Sequence, residues 1–359
     1  MKKLLLVFSI LILASCSRNE NLKVITLHDL SKKADCITIP LDSIVSSTEV
    51  IELDNSEKAP IIGVISDLYE SYQSYYIVSD EKNVYEYEKT GKFVRQIGTQ
   101  GRGPGEFLFV KKIFVNEKDS SVNLFDFPSQ KLLKYDREGN FLSSFKPDFK
   151  DTLLYLKSFF PYRDSLLFYT SNNSSGMDLF LYNYSLDNPV LLSKIDREMQ
   201  PGELIIGNVF IFGDRQNPYI YNYFNDTLFR LRNKKLNPEF LIQTNKMTLN
   251  FEELSMENMQ ALEGNKLYMR NIVQGGDFIF FFYQVNNAQE KVRNSFLSLY
   301  NIESGSYNQN VKIKDKKDSL LTLGSRDLVF QGSSTKDILV IKGQTESDKN
   351  PLIIKFRMK

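Results

Sequence analysis

The sequence contains a single histidine, His28, and it lies in the N-terminal tail, so nothing from about Glu49 onward can supply an imidazole. That absence excludes from the body of the chain Ser-His-Asp and Cys-His nucleophiles, His-ligated zinc and histidine proton relays. Any catalysis would have to use carboxylates, tyrosine, lysine or Ca²⁺. Cysteine is almost as scarce, with only Cys16 and Cys36. Tryptophan is missing, and the 13% aromatic content consists of 27 Phe and 19 Tyr. An excess of either charge is missing too. The 45 Lys and Arg balance 44 Asp and Glu, whereas phosphate-backbone binding needs a basic patch or stripe, so nucleic acid is not an expected partner.

Long apolar runs are absent except at the start. Lys2 and Lys3 precede Leu4 to Leu13, which is too short for a bilayer core of about 30 Å and suits the apolar region of a secretory signal. The run ends in Leu13-Ala14-Ser15-Cys16, which resembles the lipobox of bacterial lipoproteins. The resemblance implies that residues 1–15 are removed and Cys16 is acylated, so that the membrane is met only through lipid. An ordinary secretory cleavage after a small residue is the alternative. Ser17-Arg18-Asn19-Glu20 carries one acid only, which favours the periplasmic side of the outer membrane over the cell surface. Without residues 1–15 the net charge is −1. If Cys16 is acylated, Cys36 has no intrachain partner and reads as a small packed residue, not a nucleophile.

The body carries an internal repeat. Asn83 to Val94, NVYEYEKTGKFV, aligns with Lys131 to Leu142, KLLKYDREGNFL, placing Tyr87, Gly91 and Phe93 on Tyr135, Gly139 and Phe141. A period of about 48 residues is the mark of a repeat architecture. Short alternating apolar runs, cut by Gly, Pro, Asn and Asp about every 8 to 12 residues, predict an all-β fold. Tyr87, Tyr135, Tyr182, Leu231, Tyr300 and Phe356 mark six units of about four strands, apart from one insertion with a short helix over 250–265. The last unit supplies three strands, and Glu49 to Leu53 is available as the fourth, which would close a ring. The expected organisation is therefore a signal over 1–15, a lipid-anchored tail or linker over 16–47, and a propeller over 48–359.

GTQGRGPGEF at Gly98 to Phe107, followed by KKIFVNEKDSSVNLFDFPSQKLLKYDREGNFL, resembles an NHL repeat. PYIYNYFNDTLFRL at Pro218 to Leu231 resembles a strand pair of the six-bladed β-propeller lipoproteins of gut-type Gram-negative bacteria. The resemblance covers roughly Glu49 to the C-terminus and loses its glycine turn motif after Leu142. It implies a monomeric six-bladed propeller of four-stranded antiparallel blades; it carries little chemistry, because function resides in sites grafted on folds.

Candidate site residues follow from this frame. The glycines around Arg102 lead into the β-like Phe107 to Val110 without Gly-Lys-Ser/Thr, so they read as a blade crossover and not a phosphate loop. Arg102 either holds a neighbouring loop or meets a ligand at the central channel. Asp80, Asp126 and Asp214 end strands, and with no contiguous Asp-x-Asp-x-Asp they are expected to bond the backbone of their own turns, leaving no metal site. Arg215, Arg270 and Arg326 sit in loop positions that suit an anion or a surface ion pair. No cofactor is expected.

Asp-Ser/Thr-aliphatic triplets recur around Ser43, Thr152, Ser165, Thr227 and Ser319. They resemble the acceptor motif of periplasmic O-glycosylation, and they also suit turns entering strands. The sequence thus points to a monomeric envelope module that binds a protein, peptide or glycan. The alternative is a carboxylate- or Ca²⁺-dependent lyase or hydrolase working at the channel mouth.

Overall fold

The structure, a computed structural model, describes residues 22–27, 36–147, 154–163, 165–172, 176–183, 190–194, 209–222, 226–244, 266–287, 292–315, 321–344 and 349–359. Cys16, His28, Thr152, Ser319 and the helix expected over 250–265 lie outside the described residues.

In chain order, β1 (Lys23–Thr26) and β2 (Ile37–Pro40) precede the four-residue helix α1 (Leu41–Ile44) and β3 (Val45–Glu52). The first sheet follows as β4 (Ile65–Glu70), β5 (Ser74–Ser79), β6 (Asn83–Glu88) and β7 (Phe93–Gln96), and a crossover holds β8 (Thr99–Gln100) and β9 (Glu106–Phe107). The second sheet is β10 (Val110–Asn116), β11 (Ser121–Asp126), β12 (Lys131–Tyr135) and β13 (Phe141–Phe145). The third is β14 (Leu154–Tyr162), β15 (Ser165–Asn172), β16 (Gly176–Asn183) and β17 (Val190–Lys194). The fourth contains β18 (Val209–Phe212), β19 (Tyr219–Asn222), β20 (Thr227–Arg232) and β21 (Lys235–Gln243). The fifth contains β22 (Lys266–Gly275), β23 (Phe278–Asn287), β24 (Val292–Asn301) and β25 (Tyr307–Asn308), and β26 (Val311–Lys314) follows it. The last is built from β27 (Leu328–Gln331), β28 (Asp337–Lys342) and β29 (Leu352–Met358).

Five of these sheets are four-stranded antiparallel propeller blades. The last reaches four strands by recruiting β3, which pairs antiparallel with β29 from Val45 on Met358 to Glu52 on Leu352. The fourth sheet has five strands, because β1 adds in parallel to β21, and β2 pairs in parallel with β26. Residues 23–26 and 37–40 are thus woven into the body. The six aromatic and aliphatic markers fall on the third strands β6, β12, β16, β20, β24 and β29, one in each sheet.

Alternation explains the packing. Side chains on opposite faces of a strand meet different neighbouring sheets, so inward and outward apolar residues are both buried. One cluster joins Val78 and Tyr76 of the first sheet to Phe114 and Phe125 of the second and Phe159 and Phe168 of the third. Others join the third and fourth sheets through Tyr162, Leu167, Ile220 and Leu231, and the fourth and fifth through Tyr219, Phe240, Phe281 and Tyr300. Val273 and Phe280 pack with Val340 and Phe356. Ile51, Leu339 and Ile353 then pack with Leu68, Ile77 and Tyr87, joining the last sheet to the first. Burial of each such side chain is worth about 1.5–3 kcal/mol.

The repeated glycines have one backbone role. Gly91 and Gly139 turn β6 into β7 and β12 into β13 at φ 88° and 89°, a left-handed conformation that glycine adopts without strain.

Candidate functional site

A cavity of about 610 Å³ runs between the sheets, and the first strands of all six contribute to its wall: β4, β10, β14, β18, β22 and β27. The turns that follow β4, β18 and β27 form its mouth, with Tyr72, Gly213 to Arg215 and Gly332 to Thr335. Its lining mixes aromatic surface from Tyr69, Phe160, Phe210 and Phe330 with polar groups from Asn271, Gln331 and Ser333. Small-ligand sites have this composition, an apolar wall with a few fixed polar groups.

The charged groups of the wall are tied down. Asp67 accepts a hydrogen bond from the Lys112 ammonium at 2.9 Å and another from the Ile113 amide at 2.9 Å. Glu70 accepts from the ammonium groups of Lys355 and Lys89 at 2.6 and 2.8 Å and from the Ser333 amide at 2.9 Å. Burial raises the Glu70 carboxyl pKa, but these three donors outweigh it and hold the group at about 2. Asp214 accepts from the Gln216 amide at 2.9 Å.

Arg215 stands half-buried at the mouth. Its guanidinium lies 5.1 Å from the centre of the Tyr69 ring, while its backbone carbonyl accepts from the Arg163 amide at 3.2 Å. The Tyr69 hydroxyl donates to the Val115 carbonyl at 3.2 Å, and burial pushes its pKa up to about 12 against the lowering effect of Arg215. Beside it, burial raises the Glu117 carboxyl although the Tyr72 amide and Arg215 favour its charged form. Tyr72 is 79% exposed and presents an aromatic face at the rim.

Of the residues singled out from sequence, Arg215 and Asp214 come together at this mouth. Arg102 does not face the central cavity; it lines a smaller pocket on the crossover between the first and second sheets, together with Asp126. Asp126 is buried and accepts from the amides of Leu108 and Phe109 at 3.1 and 3.0 Å, so it clamps the crossover in place of its own turn. Asp80 similarly accepts from the Val64 amide at 2.9 Å. Arg270, on β22, and Arg326, in the turn before β27, are exposed and line neither cavity. Among the described residues no three His, Cys, Asp or Glu side chains gather as metal donors. Ser43 is exposed in α1 and donates to the Pro40 carbonyl at 2.6 Å, whereas Ser165 and Thr227 open β15 and β20 half-buried. Cys36 is exposed. Tyr69, Tyr72 and Glu117 carry no sequence signal of their own, since alternating tyrosines and scattered acids occur throughout the chain.

Four-stranded antiparallel sheets whose first strands line a common cavity define a β-propeller. The chain belongs to the family described as Domain of unknown function (DUF4934), which matches residues 22–353. No curated protein matches it. Among solved structures, it is similar to a Bacteroides fragilis NCTC 9343 protein classed by name as exported, at TM-score 0.66 and 16% identity, covering 94% of this chain and 99% of that one. It is also similar to a member of the DUF4221 family from Bacteroides vulgatus ATCC 8482, at TM-score 0.57 and 8% identity, covering 88% and 97%. At these identities the likeness is one of fold. Among the described residues no helix is long and apolar enough to cross a membrane.

Proposed function

We propose that this chain is a lipid-anchored binding module of the bacterial cell envelope, a closed six-bladed propeller whose ligand sits at the mouth of the central cavity. The observation that carries the binding reading is the cavity itself, where a rim tyrosine and the Arg215 guanidinium flank an aromatic wall whose carboxylates are already engaged by protein donors. Convergence of six first strands on one cavity, and an apolar cluster joining the last sheet to the first, support six blades closed by β3. The Leu13-Ala14-Ser15-Cys16 motif supports an acyl anchor at Cys16 on the periplasmic side of the outer membrane, and the fold likeness to an exported-class protein agrees with an envelope location. NHL-like glycine turns belong to this architecture.

The ligand class that fits the wall is a glycan or peptide, with Tyr72 as stacking platform and Arg215 as the polar anchor. Calorimetric titration of the purified chain with envelope saccharides and peptides tests this. Binding should be lost in Arg215→Ala and Tyr72→Ala, and binding that survives both substitutions would place the site elsewhere. Carboxylate-dependent product formation at this mouth would favour the enzyme reading instead.

A further inference from the structure

We propose that the crossover between the first and second sheets forms a second, independent binding site, for a small carboxylate carried on a short apolar body. Its pocket measures about 290 Å³ and combines Arg102 and Lys131 with the apolar groups Leu108, Leu133 and Phe141.

The loop is built to hold still. Parallel pairing sets Thr99 on Glu106 and Gln100 on Phe107. Gly101 donates its amide to the Phe107 carbonyl at 2.8 Å, Gly103 donates to the Glu106 carboxylate at 2.7 Å, and the Tyr135 hydroxyl donates to the Gly105 carbonyl at 2.8 Å. A side chain at Gly101 or Gly103 would occupy the space taken by Glu106, so the glycines let that carboxylate fold back into its own loop. Arg102 is thereby presented on a preorganised support, which lowers the ordering cost of binding.

The charges of the pocket divide into engaged and free. Glu106 is held by the Gly103 amide, and Asp126 by the amides of Leu108 and Phe109. Arg102 and Lys131 are exposed, and among the described residues neither side chain has an ion pair or hydrogen bond. The Ser129 hydroxyl lining the same pocket is buried without a partner. An incoming carboxylate would satisfy the guanidinium and the hydroxyl together. The nearby charges of Glu106 and Asp126 repel a dianion more than a monoanion, which selects carboxylate over phosphate. Leu133 and Phe141 then cover the apolar part of the ligand.

The test uses benzoate as probe against the full-length chain, followed by calorimetry, with benzamide and inorganic phosphate as comparisons. Benzoate should bind, weaken with added salt, and lose about tenfold or more in Arg102→Ala, the scale of one charge-assisted hydrogen bond. Lys131→Ala should give a smaller loss. Both positions are exposed, so unchanged melting curves will establish that the variants fold. Arg215→Ala should leave benzoate affinity unchanged. Absence of benzoate binding, equal affinity in Arg102→Ala, benzamide or phosphate binding as tightly as benzoate, or a loss in Arg215→Ala would each overturn the assignment.

Discussion

Arg215 and Tyr69 meet across the central cavity, guanidinium over ring at 5.1 Å, although they belong to the turn after β18 and to β4, three sheets apart in chain order. A cation over an aromatic face contributes about 0.5–2 kcal/mol depending on how far it is desolvated. Arg215→Ala should lower unfolding stability by that amount in urea titrations. Tyr69→Phe retains the ring and should lose about 1 kcal/mol, through the hydroxyl's hydrogen bond to the Val115 carbonyl and its interaction with Arg215. A loss in Tyr69→Phe as large as or larger than that in Arg215→Ala would place the weight on the hydroxyl and not on the cation–ring contact.

Glu70 ties the last sheet to the first, binding Lys355 of β29, Lys89 and the Ser333 amide. Its carboxyl is held at about 2, below the ordinary 4.5, so its stabilisation is present above about pH 4.5 and fades as pH falls toward 2. The linked free energy is on the order of 3 kcal/mol. Glu70→Ala should cost about 3 kcal/mol at pH 7, because it leaves Lys89 without its ion pair and Lys355 with only the longer contact to Asp337 at 3.5 Å. Denaturant midpoints of Glu70→Gln and the parent chain should converge as pH approaches 2, and a gap independent of pH would contradict this.

Gly91 and Gly139 share a sequence position and a φ near +90°, but only Gly91 backs onto the strand that completes the last sheet. A Cβ at Gly91 would collide with the Glu52 carbonyl oxygen, whereas one at Gly139 would meet nothing closer than Ile97 at 3.4 Å. Gly139→Ala should therefore cost only the left-handed strain of roughly 1–2 kcal/mol. Gly91→Ala should cost clearly more, because backbone at the seam must shift. Thermal melts of the two variants compare them directly.

Graded N-terminal truncation tests the role of β3. Deleting residues 1–21 should leave the melting temperature unchanged. Deleting residues 1–54 removes Ile51 and Leu53 from the core, 3% and 1% exposed, and uncovers the edge of β29. That chain should aggregate or lose cooperative unfolding. A soluble, fully stable product would refute closure by β3.

Cys16→Ala should release the protein from membranes while leaving the body folded, since each buried acyl CH₂ supplies about 0.8 kcal/mol. Membrane retention in that variant would exclude the lipid anchor. Intact mass of the native envelope protein also reads the hydroxyl sites: extra hexose-type mass should disappear in Ser43→Ala if exposed Ser43 carries glycan. A mass equal to the acylated polypeptide would leave only the turn role.

The blades were legible because their signal is local. Tyr87 and Tyr135 repeat within the same short turn motif, and both are buried on third strands. β1 and β2 gave no such signal. Each has four residues, and their exposures do not alternate cleanly, because each is an outer strand paired in parallel with a distant segment. The site divides in the same way. Arg215 and Arg102 stood out as loop arginines, but Tyr69 looks like any strand tyrosine until the cavity brings it beneath the guanidinium. Glu70 and its two lysines are likewise scattered in sequence and become a cluster only where two sheets abut.

The pairing of β3 with β29 joins positions as far apart as Ser46 and Arg357, whose side-chain to backbone hydrogen bond spans 311 residues. Such a contact forms only after the intervening residues have been made, and the loop-closure entropy it carries delays it behind the local hairpins. A chain that stops early keeps an unsatisfied edge on its last sheet and an idle strand at its head. The pairing thus makes the two segments mutually dependent: loss of either Val45–Glu52 or Leu352–Met358 leaves the other with an unpaired strand edge.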